Sequence, residues 1–174
     1  MGVCAGAGAL LGSVMGAEVR IRLAASADAL RIARMSRDLI EQGLGWSWTA
    51  ARVRQSIDDA QTNVVLALGI DGTLLAFAIM KYRDDDAHLL LLAVQPAQQR
   101  RGIGTALVAW LETVAVTAGA QRICLEARVT NAAARAFYAR LGYIEAQVVP
   151  GYYQGREASV RMSKELFTGR PLQA

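Results

Sequence analysis

The order of hydrophobic periods along the chain predicts an α/β fold, a mixed sheet with helices on both faces. Three observations carry that prediction. Val94 to Leu107, VQPAQQRRGIGTAL, reads as a strand that ends in a glycine turn and opens a helix. Val64 to Tyr82 holds two apolar runs around Asp71-Gly72, a strong hairpin signal. Elsewhere strand-like and helix-like periods alternate, which gives the order β-α-α-β-β-β-α-β-α-β-β.

Each element has a local reason. Val19, Ile21 and Leu23 fall on one face of a strand from Glu18 to Leu23. Ser26 or Asp28 caps the next helix, whose apolar stripe of Leu30, Ile32, Ala33, Met35, Leu39 and Ile40 runs toward Leu44, where Gly43 and Gly45 stop it. Trp46-Ser47-Trp48 makes an aromatic turn before Thr49 opens a second helix carrying Val53 and Ile57. That tryptophan pair is either a lid over the core or the wall of a binding groove. Val64 to Ile70 and Leu74 to Tyr82 are the hairpin strands, and Arg83 to Ala87, with Asp84, Asp85 and Asp86, is a solvated turn. His88 to Val94 is a strand with His88 as an edge residue. Leu107, Leu111 and Val114 recur at helical spacing up to Gly119, and Arg122 to Val129 is a strand. Asn131 caps a helix that stops before Gly142, and strands at Ile144 to Val149 and Ala158 to Met162 follow.

A chain of 174 residues fits one domain, placed at 18–168, with a disordered tail at 1–17 and a short C-terminal tail at 169–174. The opening segment MGVCAGAGALLGSVMGA is apolar, but it lacks a basic start and is too short to span a bilayer. Met15 is a second candidate start of translation. Gly6 stands where a myristoylation signal requires Ser or Thr, so neither an anchor nor a membrane partner is indicated. Nineteen basic and fifteen acidic side chains leave a net charge of +4, scattered and without aromatic interleaving, which argues against nucleic acid. Cys4 and Cys124 are far apart and His88 is the single histidine, so no disulfide framework or metal site is expected, and a reducing cytoplasm fits. Monomer and homodimer both fit.

The glycine turn has the chemistry of an anion site. The first N–H groups of a helix have no partner within it, and its dipole adds positive charge there. Gly102 and Gly104 let a phosphate approach bare backbone, while Gln99, Arg100 and Arg101 add donors and charge. A pyrophosphate suits that arrangement. The Walker pattern fails at Thr105, and Leu107 replaces the third glycine of the dinucleotide pattern. A second group of candidates lies in CLEARVTNAAARAFYARLGY, Cys124 to Tyr143. Glu126 points opposite to Leu125 and Ala127, and a charge on a central strand is uncommon unless satisfied or useful. Asn131 and Tyr138, seven apart, are expected to share one helix face.

Gln99-Arg100-Arg101-Gly102-Ile103-Gly104 is similar to the Q/R-x-x-G-x-G/A loop of the GCN-five-related N-acetyltransferases, the GNAT superfamily. Leu90 to Met162 as a whole resembles the bacterial ribosomal-protein alanine N-acetyltransferases, the RimI type, and less closely the eukaryotic N-terminal acetyltransferases. The matching features are LAV before the loop, QRRGIG in it, LEARVTNAAA with Tyr138 and LGY after it, and the closing GYYQGRE-A-x-x-M; Phe77-Ala78-Ile79 and Trp46-Ser47 also agree.

The resemblance implies the acyl-CoA N-acyltransferase fold, with a central, mixed but mostly antiparallel sheet, and acetyl-CoA as cosubstrate. It implies Glu126 as general base and Tyr138 as general acid. Leu92, Ala93 and Val94 would hold the pantetheine arm, Arg100, Arg101, Gly102, Ile103, Gly104 and Thr105 the pyrophosphate, and Asn131 would also bind the coenzyme. Trp46, Tyr152 and Tyr153 would line the acceptor groove, the two tyrosines from a segment between the last two strands. The chemistry asks for the same residue types, because an amine attacks a thioester only when neutral and the departing thiolate needs a proton.

A protein or peptide α-amino group is the expected acceptor. Its reference pKa of about 7.7–8.0, against about 10.4 for lysine, makes deprotonation at neutral pH roughly 3 kcal/mol less costly. A small-molecule amine is the alternative, and longer acyl-CoA donors stay open. A non-catalytic acyl-CoA-binding module fits less well, since Glu126 and Tyr138 are both present. An acetyl-cysteine route through Cys124 has no histidine paired with it in the sequence.

Overall fold

A computed structural model describes residues 10–14, 17–153 and 157–166. The Met15 start and the C-terminal tail lie outside the described residues. The elements are β1 (Leu10–Val14), β2 (Ala17–Leu23), α1 (Ala29–Leu39), α2 (Ala50–Asp58), β3 (Thr62–Leu68), β4 (Leu74–Arg83), β5 (Asp86–Val94), α3 (Ile103–Thr117), β6 (Arg122–Arg128), α4 (Ala132–Arg140), β7 (Ile144–Tyr153) and β8 (Glu157–Glu165). They form two compact units, one of the described residues up to Lys81 with Leu89–Trp110, the other of Tyr82–His88 with the described residues from Leu111 onward. Strand β5 contributes its first residues to the second unit and the rest to the first.

In the first unit β1-β2, β2-β3 and β3-β4 pair antiparallel, and β5 follows β4 in the sheet. Strand β1 falls inside the stretch expected to be a tail. Leu10 pairs with Ile21 and Val14 with Ala17 along the edge that β2 offers. Its composition of small and apolar residues shows no alternation, so the strand had no periodic signal. Val64, Leu66 and Leu68 of β3 face a core shared with Ile32, Ala33 and Met35 of α1 and with Trp48 and Val53. On the opposite side of β3, Val65 and Ala67 are equally buried. Both faces of this sheet are covered, and each fully buried side chain of this size contributes roughly 1.5–3 kcal/mol.

Helix α1 ends at Leu39, earlier than the stripe toward Leu44 suggests. The N–H groups of Ile40 and Glu41 both reach the carbonyl of Ser36, which closes the helix. The buried Glu41 carboxylate then accepts from the Ser47 N–H and hydroxyl, each at 2.7 Å, and bends the chain into the Trp46 turn. At the other end Ser26–Asp28 form a 3-10 turn. Asp28 accepts from the Ala25 N–H at 2.7 Å, from Arg22 at 2.7 and 3.0 Å, and from Arg31. Burial pushes the Asp28 carboxyl up, but these partners more than offset it, and the group falls to about 2. Thr49 caps α2 as expected, its hydroxyl accepting from the Arg52 N–H at 3.3 Å.

In the second unit β6 pairs with β8, and β8 with β7, all antiparallel. Ile123, Leu125 and Ala127 of β6 are buried on one face together with Val160 and Met162 of β8. The alternation turns Cys124, Glu126 and Arg128 to the other face, where Arg161 lies directly across from Glu126. Strand β7 runs through Pro150 to Tyr153, so Tyr152 and Tyr153 belong to a strand and not to the connection after it. Strand β7 is the edge of the sheet, where a proline need not break a ladder bond. Gly151, at φ 63°, and a register shift between Val149 and Tyr153 take up the irregularity.

Candidate active site

Apart from Asn131, the residues expected to hold the coenzyme lie in the first unit. Leu92, Ala93 and Val94 end β5, and Pro96 begins a 3-10 turn that leads into the glycine turn. Arg100 (φ 64°) and Gly102 (φ 83°) both adopt left-handed backbone, which folds the turn tightly. Gln99 donates to the Val94 carbonyl at 3.2 Å and Arg101 to the Gln98 side chain at 2.8 Å. Ala106 N–H to the Gly102 carbonyl, 2.9 Å, is an early helical bond of α3, so the N–H groups of Ile103, Gly104 and Thr105 sit in its first turn. Arg100, Arg101 and Thr105 are exposed, while Ile103 and Gly104 are buried and anchor the turn. Donors and cationic side chains at a helix N-terminus are what a pyrophosphate requires.

Glu126 stands at the centre of a polar cluster in the second unit. Its carboxylate is only 3% exposed. Oε2 lies 2.5 Å from Nε2 of His88 and accepts from the Tyr152 hydroxyl at 3.1 Å, while Oε1 accepts from Nε of Arg161 at 2.9 Å. Burial alone would push this carboxyl up. The hydrogen bond and charge of His88, followed by Arg161 and Tyr152, outweigh it, and the group sits below its ordinary range. Cys124, on the same face two residues earlier, has its thiol pushed up by burial.

Helix α4 carries the other expected pair in a different arrangement. Asn131 is the N-cap, and its side-chain Oδ1 accepts from the Ala134 N–H at 3.0 Å. The amide therefore turns back onto the helix end and is not displayed on a face beside the phenol. Tyr138 is 8% exposed, its ring edge-on to Phe137 at 5.1 Å and to Tyr143 at 5.6 Å. The two tryptophans differ in burial. Trp48 is buried in the core of the first unit, whereas Trp46 is 43% exposed, its Nε1 donating to the Trp48 carbonyl at 3.0 Å. Tyr152 joins Glu126; Tyr153 pairs through its backbone with Glu157, and its side chain lies outside the described residues.

His88 and Arg161 belong to this cluster and were not among the expected site residues. Both had a signal. Each is a polar side chain on a strand whose neighbours in sequence are buried apolar residues, the same pattern that singled out Glu126. Among the described residues there is no group of three or more side chains suited to a metal, and no helix is long and apolar enough to cross a membrane.

Residues 32–143, more than half of the chain, match the model of the acetyltransferase (GNAT) family. Over 101 residues the chain is 41% identical to the [ribosomal protein bS18]-alanine N-acetyltransferase of Salmonella typhimurium, covering 56% of this chain and 68% of that one. The enzyme of the same name from Escherichia coli K12 is 40% identical over 96 residues, 53% of this chain and 65% of that one. The alignments thus span about two thirds of these curated relatives. Among solved structures, the ribosomal-protein-S18-alanine N-acetyltransferase from Escherichia coli superposes with a TM-score of 0.76 at 26% identity, covering 90% of this chain and 99% of that one.

Proposed function

The chain belongs to the acetyltransferase (GNAT) family, and from that membership we propose that it moves the acetyl group of acetyl-CoA directly onto the α-amino group of a protein or peptide. Acetyl-CoA is the donor. The backbone of Leu92, Ala93 and Val94 receives the pantetheine arm, the turn from Arg100 to Thr105 receives the pyrophosphate, and Asn131 contributes at the start of α4. Names of relatives support the acceptor class, since the Salmonella and Escherichia coli proteins are named as alanine N-acetyltransferases of a ribosomal protein.

The observation that carries the mechanism is the convergence of His88, Tyr152 and Arg161 on the Glu126 carboxylate. An incoming ammonium must first lose a proton. Glu126 is the general base acting with His88: ionised at neutral pH, the carboxylate orients the imidazole and stabilises it once it has taken the proton. The neutral amine then attacks the acetyl carbon, the C–N bond forms and the C–S bond breaks; the thiolate takes the proton of the Tyr138 phenol, and the proton the nitrogen releases on becoming an amide passes to solvent, from which the phenolate is reprotonated. Direct transfer is favoured over an acetyl-cysteine, because the thiol of Cys124 is biased toward its protonated, less nucleophilic form. The free Cys124 thiol fits a reducing, cytoplasmic setting.

Initial rates with acetyl-CoA and a panel of N-terminal peptides, lysine peptides, polyamines and aminoglycosides test the reading. Peptide α-amines are expected to be the best acceptors. Faster transfer to small amines would overturn the acceptor class.

A further inference from the structure

We infer that Arg161 selects acceptors whose second residue is acidic, an inference that rests on the peptide-acceptor reading above. Arg161 is directly across β6–β8 from Glu126 and across β7–β8 from Gln147, so its side chain shares their face. Its Nε is committed to Glu126, and its side chain is still 46% exposed. Among the described residues, no hydrogen bond or ion pair engages the terminal nitrogens of this guanidinium. Neighbouring arginines of the same unit differ. Arg128 is closed by Glu157 at 3.0 Å, and Arg135 by Glu145 at 2.8 and 3.1 Å. Arg161 therefore presents a cationic fork, anchored at one end, beside the carboxylate that handles the amine.

The spacing selects the second residue. An extended peptide advances about 3.3–3.6 Å per residue. Residues directly opposite on an antiparallel pair lie about 4.5–5.5 Å apart. With the α-amine at Glu126 and His88, the side chain one residue further along is the one that meets Arg161. A guanidinium fork binds a carboxylate with directional, charge-assisted hydrogen bonds. A basic second residue would meet both Arg161 and the His88 imidazole once that is protonated, and it is disfavoured.

The test uses peptides that differ only at position two, carrying Glu, Gln or Arg. In the parent protein kcat/KM is expected to fall in that order, chiefly through KM. The Glu peptide should exceed the Gln peptide on the order of tenfold, as a hydrogen bond to a charged group allows, and the gap should shrink as salt is raised. In Arg161→Gln the preference should flatten, and in Arg161→Glu it should reverse. Because each comparison is made within one protein, damage to Glu126 from these substitutions cancels from the ratio. Equal rates for all three peptides in the parent protein, or an unchanged preference in Arg161→Gln, overturn the inference and leave the peptide-acceptor reading standing. Failure to acetylate any peptide overturns that reading, and this inference with it.

Discussion

Nε2 of His88 and Oε2 of Glu126 are 2.5 Å apart, and the carboxylate of that pair is only 3% exposed. A carboxylate held below its ordinary range by such contact stays ionised through neutral pH, and in the proposed mechanism it acts on a proton together with the imidazole. Glu126→Gln is expected to lower kcat by ~10²–10⁴ at pH 7, the usual cost of removing general-base catalysis. The loss should be smaller at pH 9.5, where more of the amine is already neutral. His88→Gln should show the same pH trend with a smaller loss. A loss independent of pH in both variants would assign the pair to positioning.

Acid stability is governed in part by a different carboxylate. The Asp28 carboxyl is lowered to about 2 in the folded chain, against a reference near 3.9. A depressed carboxyl contributes stability at pH values above its unfolded pKa and loses it as pH falls through the folded one. The contribution of about 2 kcal/mol should therefore be complete above about pH 4 and disappear toward pH 2. Urea denaturation of Asp28→Asn against the parent protein should show a stability deficit at pH 6 that narrows toward pH 2.5. A constant deficit across that range would remove Asp28 from the acid response.

The helix and strand order was legible wherever period and punctuation agreed. Thr49 and Asn131 sit at the caps expected of them, and the Asp71-Gly72 hairpin follows from its turn residues. What escaped was set by contacts remote in sequence. Strand β1 exists through pairing with β2, and α1 stops early because Glu41 gathers the Ser47 and Trp48 backbone. In the site, Glu126 was visible as a charge among buried neighbours. His88 and Arg161 carry the same pattern, but their pairing with Glu126 was not visible, because they lie 38 and 35 residues away and meet it through the sheet.

The glycine turn yields a direct binding test. Gly104 is buried in the first turn of α3, and in the proposed coenzyme site a β-carbon there would crowd the backbone donors that receive the pyrophosphate. Gly104→Val should weaken acetyl-CoA binding at least tenfold by calorimetry, with Gly104→Ala intermediate and the circular dichroism of both unchanged. Full affinity in a folded Gly104→Val protein would sink the loop assignment.

Tyr138 is packed edge-on between Phe137 and Tyr143, so removing its hydroxyl preserves the ring contacts. Tyr138→Phe is expected to slow the chemical step with little change in coenzyme affinity, measured by single-turnover kinetics alongside calorimetry. An unaltered single-turnover rate would exclude the phenol as the acid.

Tyr152 tests the acceptor. The residue is 43% exposed on the edge strand β7, and its hydroxyl donates to Oε2 of Glu126 at 3.1 Å. The two parts of the side chain can be separated by substitution. Tyr152→Phe removes one hydrogen bond to the carboxylate, worth about 0.5–1.5 kcal/mol, so rates with every acceptor should fall by no more than about tenfold. Tyr152→Ala also removes an aromatic surface of the kind that anchors peptide ligands. Its additional loss should fall on KM for peptides and leave small amines at the Tyr152→Phe level. The comparison is made with a peptide and a small amine side by side in both variants. If Tyr152→Ala affects the two acceptors equally, the ring does no more than cover the sheet edge, and the peptide groove must be sought on another element.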